Sequence, residues 1–376
     1  MADGKTSGHG CGHNLLGAGL TGAAIATRQV MEAQGIPGTL RVFGCAAEET
    51  EGAKVYMARA GLFNDLDTCL HWHPAPIASV INVRLAASDV MKLEFHGRTA
   101  HAGIEPWNGR SALDAMELAA HAINLMREHV EPTARIHYVY EVAGTAPNIV
   151  PDYARMWLVV CDIDRAHVVK TTAWVEQIAQ GAALATQTTA QVNVYFGMHD
   201  LLPNTALAQR MQQHLDQVRT PQWSEEEQAF ARECQQHMGV PQHGLMTKVT
   251  PLQPEPTLGG SSDVADVSWI TPTMGVSVPT MVALHTWPVT ACGGMSIGVK
   301  GTLVAAQVLV QTALDVLTDA ELRAATRADF ERRTAGFTYV SPLPPEQQQP
   351  HGLPAWLNID GSTEALAEMA RRAAKT

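Results

Sequence analysis

The pattern of apolar and polar positions divides the chain into three parts. In the first part, an Ala/Leu-rich helical stretch at 15–33 precedes an apolar, β-branched run at 39–45. A short helix at 53–60 and a second apolar run at 68–72 follow. Runs of this kind predict buried strands. Strands that alternate with helices are typical of a parallel sheet, whose ligands gather at the carboxyl ends of the strands.

The second part is predicted to be a separate domain of amphipathic strands and helices. The predicted strands are 89–96, 134–142, 153–160 and 191–196, and the predicted helices are 109–128 and 166–186. Along the chain these elements follow the order β-α-β-β-α-β, which is the ferredoxin-like arrangement. We therefore predict an inserted α+β domain at residues 88–200.

In the third part the chain is predicted to return to the first domain. Helices are expected within 221–236 and at 300–317, and a strand that ends in a histidine is expected at 282–286. Residues 1–87 and 201–340 would thus form one discontinuous domain around a mixed or parallel sheet. The predicted fold class is α/β, with an α+β domain inserted in it.

The C-terminal tail, residues 341–376, differs from both domains. Its beginning, 341–351, is rich in Pro and Gln, which is typical of a surface linker. The stretch at 363–374 is amphipathic and is predicted to be a docking helix or a frayed end.

Composition narrows the class of protein. Hydrophobic residues make up 46% of the 376 positions, which supports a sizeable core. The formal net charge of -11 comes without a long basic cluster, which argues against nucleic-acid binding. No apolar run has the length of a membrane span and no secretory pattern is seen, so a cytoplasmic protein without membrane contact is expected. The six cysteines are scattered, as in proteins with reduced thiols.

A glycine-rich stretch near the start, GHGCGHN at residues 8–14, carries the first candidate metal ligands. Residues two apart in an extended segment point to the same side, so Cys11 and His13 could face one metal ion. Thiolate and imidazole suit zinc, and other first-row metals remain open. One Cys-x-His pair is a weak signal. A turn with a buried Cys11 and a helix-capping Asn14 explains the stretch equally well.

Further candidate ligands follow the predicted strands. Glu48 and Glu49 come after the run at 39–45, and His73 and His285 lie at the ends of two other strands. Neighbouring side chains diverge, so one glutamate could bind metal while the other takes a proton from a metal-activated water. Each residue alone is explained more simply by a solvated acidic loop or an ordinary histidine. Because all of them lie at element ends of one α/β layer, together they are a much stronger signal for a metal site than any one of them alone.

The motifs around these residues carry a family resemblance. They are GHGCGHN, RVFGCAAEETEG, CLHWHPAP, GRTAHAG…P…GRSALDA, GTAPNIVP, SSDVADVSW and ALHTWPV, in this order. With them the chain resembles the dinuclear-metal amidohydrolases and exopeptidases that include aminoacylases and hippurate hydrolase. The resemblance implies hydrolysis of the amide bond of an N-acyl or N-aroyl amino acid. It also implies two divalent metal ions, with zinc preferred and manganese as the second choice.

Carried over position by position, the resemblance assigns roles to single residues. Glu48 would be the general base, and His71 is the second choice for the role given to His73. His101 of the inserted domain would reach the active site of a partner subunit and stabilise the oxyanion, and Asn148 would lie near the substrate. The inserted domain then acts as a lid and as the contact of a homodimer, or of a heterodimer with a homologous subunit. The implied metal ligands are Cys11, His13, Glu49, His73 and His285.

Two features depart from this family pattern. Cys161 stands where an arginine for the substrate carboxylate is expected. Either the substrate lacks a free α-carboxylate, or Arg155 or Arg165 compensates. Only seven residues precede Gly8, so the first part of the catalytic domain is expected to be short. Either the chain is truncated, or its start is assigned internally, or it is an unusual short form, and an incomplete sheet would expose an edge. A dipeptidase, an aromatic-amine aminohydrolase and a non-catalytic partner subunit remain alternative functions.

Overall fold

The structure of the protein is a computed structural model that describes residues 8–49 and 51–347; the stretch predicted at 363–374 lies outside them. Helices α1 to α10 are, in order, His13–Gln34, Ala53–Arg59, Ala112–Met126, Arg165–Thr186, Thr205–Val218, Glu225–His237, Val264–Ser268, Trp287–Gly293, Ser296–Thr318 and Ala320–Arg333. Strands β1 to β9 are Cys69–Ala75, Ser79–Val80, Arg84–Leu85, Ala87–His96, Arg135–Val142, Tyr153–Asp162, Thr189–Met198, Thr257–Leu258 and Thr273–Pro279. Helices and strands thus alternate over much of the described chain, as in a mixed α/β protein.

The first sheet is mixed and has the strand order β1-β9-β2. Strands β1 and β9 pair in parallel, with His73 opposite Ser277, and β2 runs antiparallel to β9. The predicted strand at 68–72 is confirmed as β1, which continues to Ala75. The sheet therefore combines parallel and antiparallel pairing, in agreement with the predicted mixed sheet.

Helices α1, α5 and α9 pack around this sheet. Trp72 of β1 is fully buried beneath α1, and its indole N–H donates to Leu16 O at 2.9 Å. Gly19 allows this close approach, because a Cβ there would lie 2.8 Å from the indole nitrogen of Trp72. Val276 and Val308 extend the same core from β9 and α9. This core fixes β1 and the start of α1 relative to each other.

Among the described helices, α9 alone has the length and hydropathy that would allow a membrane span. It packs against α1, α5 and β9 instead. Its residues Ala305, Val308 and Leu309 are buried in the core. Of its most apolar window, 44% is buried inside the protein.

The second sheet is antiparallel throughout and has the order β5-β6-β4-β7. Along the chain its elements follow one another as β4-α3-β5-β6-α4-β7. Helices α3 and α4 pack together and against the sheet. Met91, Leu93 and Phe95 of β4 are fully buried there with Met116 and Ile123 of α3. One face of the sheet is thus covered by helices, as the period-2 burial of β4 and β6 requires.

Two neighbouring segments connect the sheets. The Leu201 N–H donates to Leu85 O at 3.2 Å, and Arg84 pairs with Asp200 at 3.1 Å. Phe196 near the end of β7 packs in one cluster with residues of α2. The second sheet is therefore anchored next to the short helix that follows the two glutamates.

Two predicted strands are absent from the described chain. Residues 39–45 form no ladder, and Leu40 and Val42 are 39% and 58% exposed. Residues 282–286 form a turn beyond β9, where His285 has the left-handed φ of 54°. Apolar, β-branched composition favours a strand, but a strand also needs a partner for its backbone groups. Neither segment has such a partner among the described strands.

Candidate active site

The loop before α1 brings the first two candidate ligands together by a tight turn. Cys11 lies in the turn and His13 is the first helical residue. Gly12 between them has a φ of 78°, and a Cβ there would lie 3.0 Å from Pro74. The capping residue of α1 is Gly12, so the capping role considered for Asn14 is wrong. Cys11 and His13 are brought together by this turn, and not by the extended segment that was expected.

Six of the predicted site residues lie together in the structure. They form three triplets, and within each triplet the possible donor atoms lie within 4.8 Å of one another. His71 belongs to none of them. It is half-buried and packs against Gly275, where a Cβ would overlap the imidazole ring. The triplets are Cys11, His13 and His73; Cys11, Glu49 and His285; and His13, Glu48 and Glu49.

The distances at this centre suit groups that share cations. Cys11 Sγ lies 3.5 Å from His73 Nε2. His13 Nε2 lies 3.8 Å from Glu48 Oε2 and 3.9 Å from Glu49 Oε1. The Cys11–His73 separation is a hydrogen-bond distance for sulfur, whereas the two His13–carboxylate separations are too long for direct hydrogen bonds and leave room for an ion between the donors.

His285 closes the centre from the segment after β9. Its backbone N–H donates to Gly10 O at 2.9 Å, which ties this segment to the loop of Cys11. Its Nε2 lies 3.4 Å from Glu49 Oε1. The side chains of His285 and Glu49 are 65% and 47% exposed. The centre is therefore open to solvent on the side of His285.

The hydrogen bonds of His73 fix its tautomer. Its Nδ1 lies 2.6 Å from Pro74 O, and a carbonyl oxygen can only accept, so Nδ1 carries the proton. The neutral ring then presents the lone pair of Nε2 toward Cys11. Burial lowers the pKa of His73, which favours this neutral form. An imidazole held in this way by a carbonyl is the usual arrangement of a histidine ligand.

The charge balance of the centre fits divalent cations. Burial, together with the neighbouring Glu49 and Glu48, raises the pKa of the Cys11 thiol to about 12. The two carboxylates therefore place their negative charges close together, beside a thiol that stays protonated and neutral. A divalent cation relieves this repulsion and releases the thiol proton. The donor set of thiol, imidazole and carboxylate suits zinc and similar metals.

His101 and Asn148 lie together on the second sheet's loops, outside the three triplets. The Ala102 N–H donates to Asn148 O at 3.0 Å, and His101 forms an isolated antiparallel β-bridge with Ile149. The exposed His101 uses its Nδ1 to accept from the Gly103 N–H at 3.2 Å. Both predicted residues therefore lie on neighbouring loops of the second sheet, with His101 accessible.

The two arginines considered as replacements at Cys161 are already paired. Arg165 bonds to Asp89, which is buried, and to Ser88 O at 3.0 Å. The Nε of Arg155 lies 2.9 Å from the carboxylate of Glu141. Neither guanidinium is free to bind a substrate carboxylate in this structure.

Three residues behind Glu48 were not among the predicted site residues; Asp263 was considered only as a possible helix cap. Ser262 donates to Glu48 Oε1 at 2.7 Å, and the buried Asp263 pairs with Lys54 at 2.7 Å. Ser262 and Asp263 belong to the SSDVADVSW motif, which was visible in the sequence. The motif does not reveal its partner, because Ser262 and Glu48 are 214 positions apart.

Comparisons with known proteins identify relatives of the chain. The family model of "Peptidase family M20/M25/M40" matches residues 2–191. One of the p-aminobenzoyl-glutamate hydrolase subunits of Escherichia coli (strain K12) is 34% identical over 368 residues, with 90% of this chain and 76% of the relative covered. The Xaa-Arg dipeptidase of Homo sapiens is 28% identical over 344 residues, covering 89% and 72%.

Solved structures share the fold. A Bacillus subtilis protein described as a dinuclear metal binding peptidase from the M20 family superposes with a TM-score of 0.53 at 17% identity. The match covers 82% of this chain and 73% of that protein. With the sequence relatives, these findings identify a hydrolase that acts on amide (C–N) bonds. The chain belongs to peptidase family M20/M25/M40.

Proposed function

We propose that the chain hydrolyses the amide bond of N-acyl or N-aroyl amino acids, with p-aminobenzoyl-glutamate-like amides as the first candidates. The observation that carries the proposal is the meeting of thiol, imidazole and carboxylate donors within 4.8 Å of one another. The substrate class is suggested by the name of the 34% identical relative.

Five side chains would hold two divalent metal ions at this centre. Zinc fits the thiol and imidazole donors, and manganese is the second choice. When bound, the ions would polarise the scissile carbonyl and lower the pKa of the attacking water. The proposed ligands are Cys11, His13, Glu49, His73 and His285.

Glu48 is the proposed general base. Its Oε2 faces the centre, 3.8 Å from His13 Nε2, and its side chain is 20% exposed. The carboxylate takes a proton from water as the new C–O bond forms, and it returns the proton to the amine nitrogen as the C–N bond breaks. Glu49 Oε1 lies 3.9 Å from His13 Nε2 and also 3.4 Å from His285 Nε2, which supports its role as a ligand shared with the histidines.

We further propose that the β4–β7 unit is a ferredoxin-like lid and dimerisation domain. It would span residues 88–200, inserted between parts 1–87 and 201–340 of the catalytic domain. The positions of His101 and Asn148 on neighbouring loops of the second sheet support a joint role. In a dimer with a second copy or a homologous subunit, His101 would donate to the oxyanion of the other protomer's site, and Asn148 would contact the substrate.

A dipeptidase is the second candidate function, and the lid strand β6 favours it. Cys161 stands on this strand without a free arginine nearby, because Arg155 and Arg165 are paired with carboxylates. A substrate recognised by its side chain or amino group needs no such arginine. The 28% identical human relative is named as a dipeptidase.

The proposal is tested by turnover and metal content of the parent chain and of Glu48→Gln. The parent, loaded with zinc or manganese, is assayed on p-aminobenzoyl-glutamate, other N-acyl amino acids, dipeptides and amides without a carboxylate. Because Glu48 moves protons without holding metal, Glu48→Gln should lower kcat by roughly 10²- to 10⁴-fold. Its metal content by elemental analysis should equal that of the parent.

The outcomes separate the candidates. Turnover of dipeptides alone would replace the amidohydrolase by the dipeptidase, and release of ammonia from aromatic amines would indicate an aminohydrolase. A parent that binds no metal and hydrolyses none of these amides until a homologous subunit is added would be a non-catalytic partner. Near-parent turnover by Glu48→Gln would refute the role of Glu48 as base.

A further inference from the structure

The Glu48 carboxylate is held by a residue from a distant loop. Ser262 Oγ donates to Glu48 Oε1 at 2.7 Å, a strong hydroxyl–carboxylate hydrogen bond. The other oxygen, Oε2, lies 3.8 Å from His13 Nε2 on the side of the metal-ligand cluster. The hydrogen bond thus occupies one oxygen and leaves the other directed to the reacting centre.

A buried ion pair anchors the loop that carries Ser262. Asp263 has no exposed surface, and its two oxygens accept from Lys54 Nζ at 2.7 Å and from the Lys54 backbone N–H at 3.0 Å. Lys54 lies in the first turn of α2, directly after the segment with Glu48. The segment of Glu48 and the loop of Ser262 are therefore joined at two points.

Gly52 allows this close contact between the two segments. It has a φ of 59°, and a Cβ there would lie 3.3 Å from Asp263 Cβ and would overlap the ring of Phe196. Only glycine adopts this conformation at low cost and leaves room for both neighbours. The backbone at Gly52 is thus shaped to lie against the 262–263 loop.

We propose that Ser262 is a positioning residue that fixes the orientation of the Glu48 carboxylate, and that the Lys54–Asp263 pair holds Ser262 in place. The inference rests on the proposed function, in which Glu48 is the base. A glutamate side chain has several rotatable bonds, and catalysis needs one oxygen at a defined distance from the water. A neutral hydroxyl fixes the carboxylate without cancelling the negative charge that takes the proton. The cation of Lys54 is bonded to Asp263 instead.

The first test compares Ser262→Ala and Ser262→Thr, with Ser261→Ala as the matched control at an exposed neighbouring serine. A misplaced base slows the chemical step, so Ser262→Ala should lower kcat by roughly 10- to 100-fold. KM and metal content should stay within twofold of the parent. Ser262→Thr keeps a hydroxyl and should recover most of kcat, whereas Ser261→Ala should match the parent. A parent-like kcat in Ser262→Ala overturns the inference.

The second test does not depend on turnover. Thermal midpoints of the metal-loaded chain are measured for Ser262→Ala, Glu48→Ala and the double variant. Because the two side chains share one hydrogen bond, the double variant should lose clearly less than the sum of the single shifts. The pair Ser261→Ala and Glu48→Ala should be additive. Additivity at Ser262 overturns the inference even if the parent is active. An inactive parent contradicts the proposed function, while the coupling still decides whether Ser262 holds Glu48.

Discussion

His71 and His73 lie two residues apart on β1, and their surroundings give them different roles. His73 Nε2 lies 3.5 Å from Cys11 Sγ, and its Nδ1–H is bonded to Pro74 O. His71 lies against the backbone of Gly275, and burial with the nearby His73 lowers its pKa to about 3. We expect a neutral packing role for His71 and a ligand role for His73.

This difference predicts distinct effects of two alanine substitutions. His73→Ala removes a ligand and should leave about one metal equivalent fewer per chain after dialysis. His71→Ala should keep the metal content of the parent and lower the thermal midpoint, because it leaves a cavity in the sheet. Elemental analysis and thermal unfolding of both variants check this. Metal loss in His71→Ala together with full metal content in His73→Ala would reverse the assignment.

The sequence allowed much of the centre to be predicted, although part of the reasoning was wrong. Cys11, His13, Glu48, Glu49, His73 and His285 do lie together. Glu48 and His285 are nevertheless on irregular segments, not at the ends of strands. The order of the motifs pointed to these six residues, whereas the expected strand ends were wrong for Glu48 and His285. Ser262 was missed because a side-chain contact across 214 positions leaves no local pattern.

At the scale of elements, the packing of α1 on β1 depends on a glycine, which has no side chain, at the point of closest contact. Gly19 lies over the indole of Trp72, which is fully buried. Three positions along the same helix, Gly22 is exposed and has no atom within 4 Å of where a Cβ would be. The two glycines therefore differ in purpose, although both lie inside the helix.

We predict opposite signs for alanine at these two glycines. Gly19→Ala places a methyl group 2.8 Å from the Trp72 ring and should destabilise the fold by about 1–3 kcal/mol. Gly22→Ala removes the backbone entropy of glycine without a clash and should stabilise it by roughly 0.5–1 kcal/mol. Denaturant unfolding of the two variants measures both changes. Equal shifts of one sign would mean that Gly19 does not control the contact of α1 with β1.

Elements with strong periodicity were predicted well, and strands without partners were not. The predicted helix at 166–186 is α4, Arg165–Thr186, and the predicted strand at 89–96 is β4, Ala87–His96. The error at 39–45 has a physical cause. Sequence shows the apolar character of a segment, but the pairing that makes a strand is set by other parts of the fold.

For the whole molecule, the second sheet has two edges at which another chain could pair. Strand β5 forms one edge, and its Val139 and Tyr140 are 55% and 42% exposed. Leu118 and Leu125 of the neighbouring α3 are also exposed. An apolar edge strand beside an apolar helix face supports the proposed dimer through the lid.

A charge at this edge should therefore separate the protomers. Val139→Lys is expected to convert a dimer of the parent into a monomer, because a buried lysine opposes strand pairing. Val240→Lys is the control, since Val240 is similarly exposed but lies outside the second sheet. Analytical ultracentrifugation gives the masses. A parent that is monomeric at micromolar concentration, or a dimeric Val139→Lys variant, would contradict the lid interface.

The segment at 39–45 also bears on how the protein behaves in concentrated solution. Leu40 and Val42 are exposed on an apolar stretch beside a cleft lined by Ile25, Met31 and Ile36. An exposed β-prone stretch is a template on which strands of other molecules can add. We therefore expect this segment to limit the colloidal stability of the protein, so that losses to precipitation rise with concentration well below the unfolding temperature.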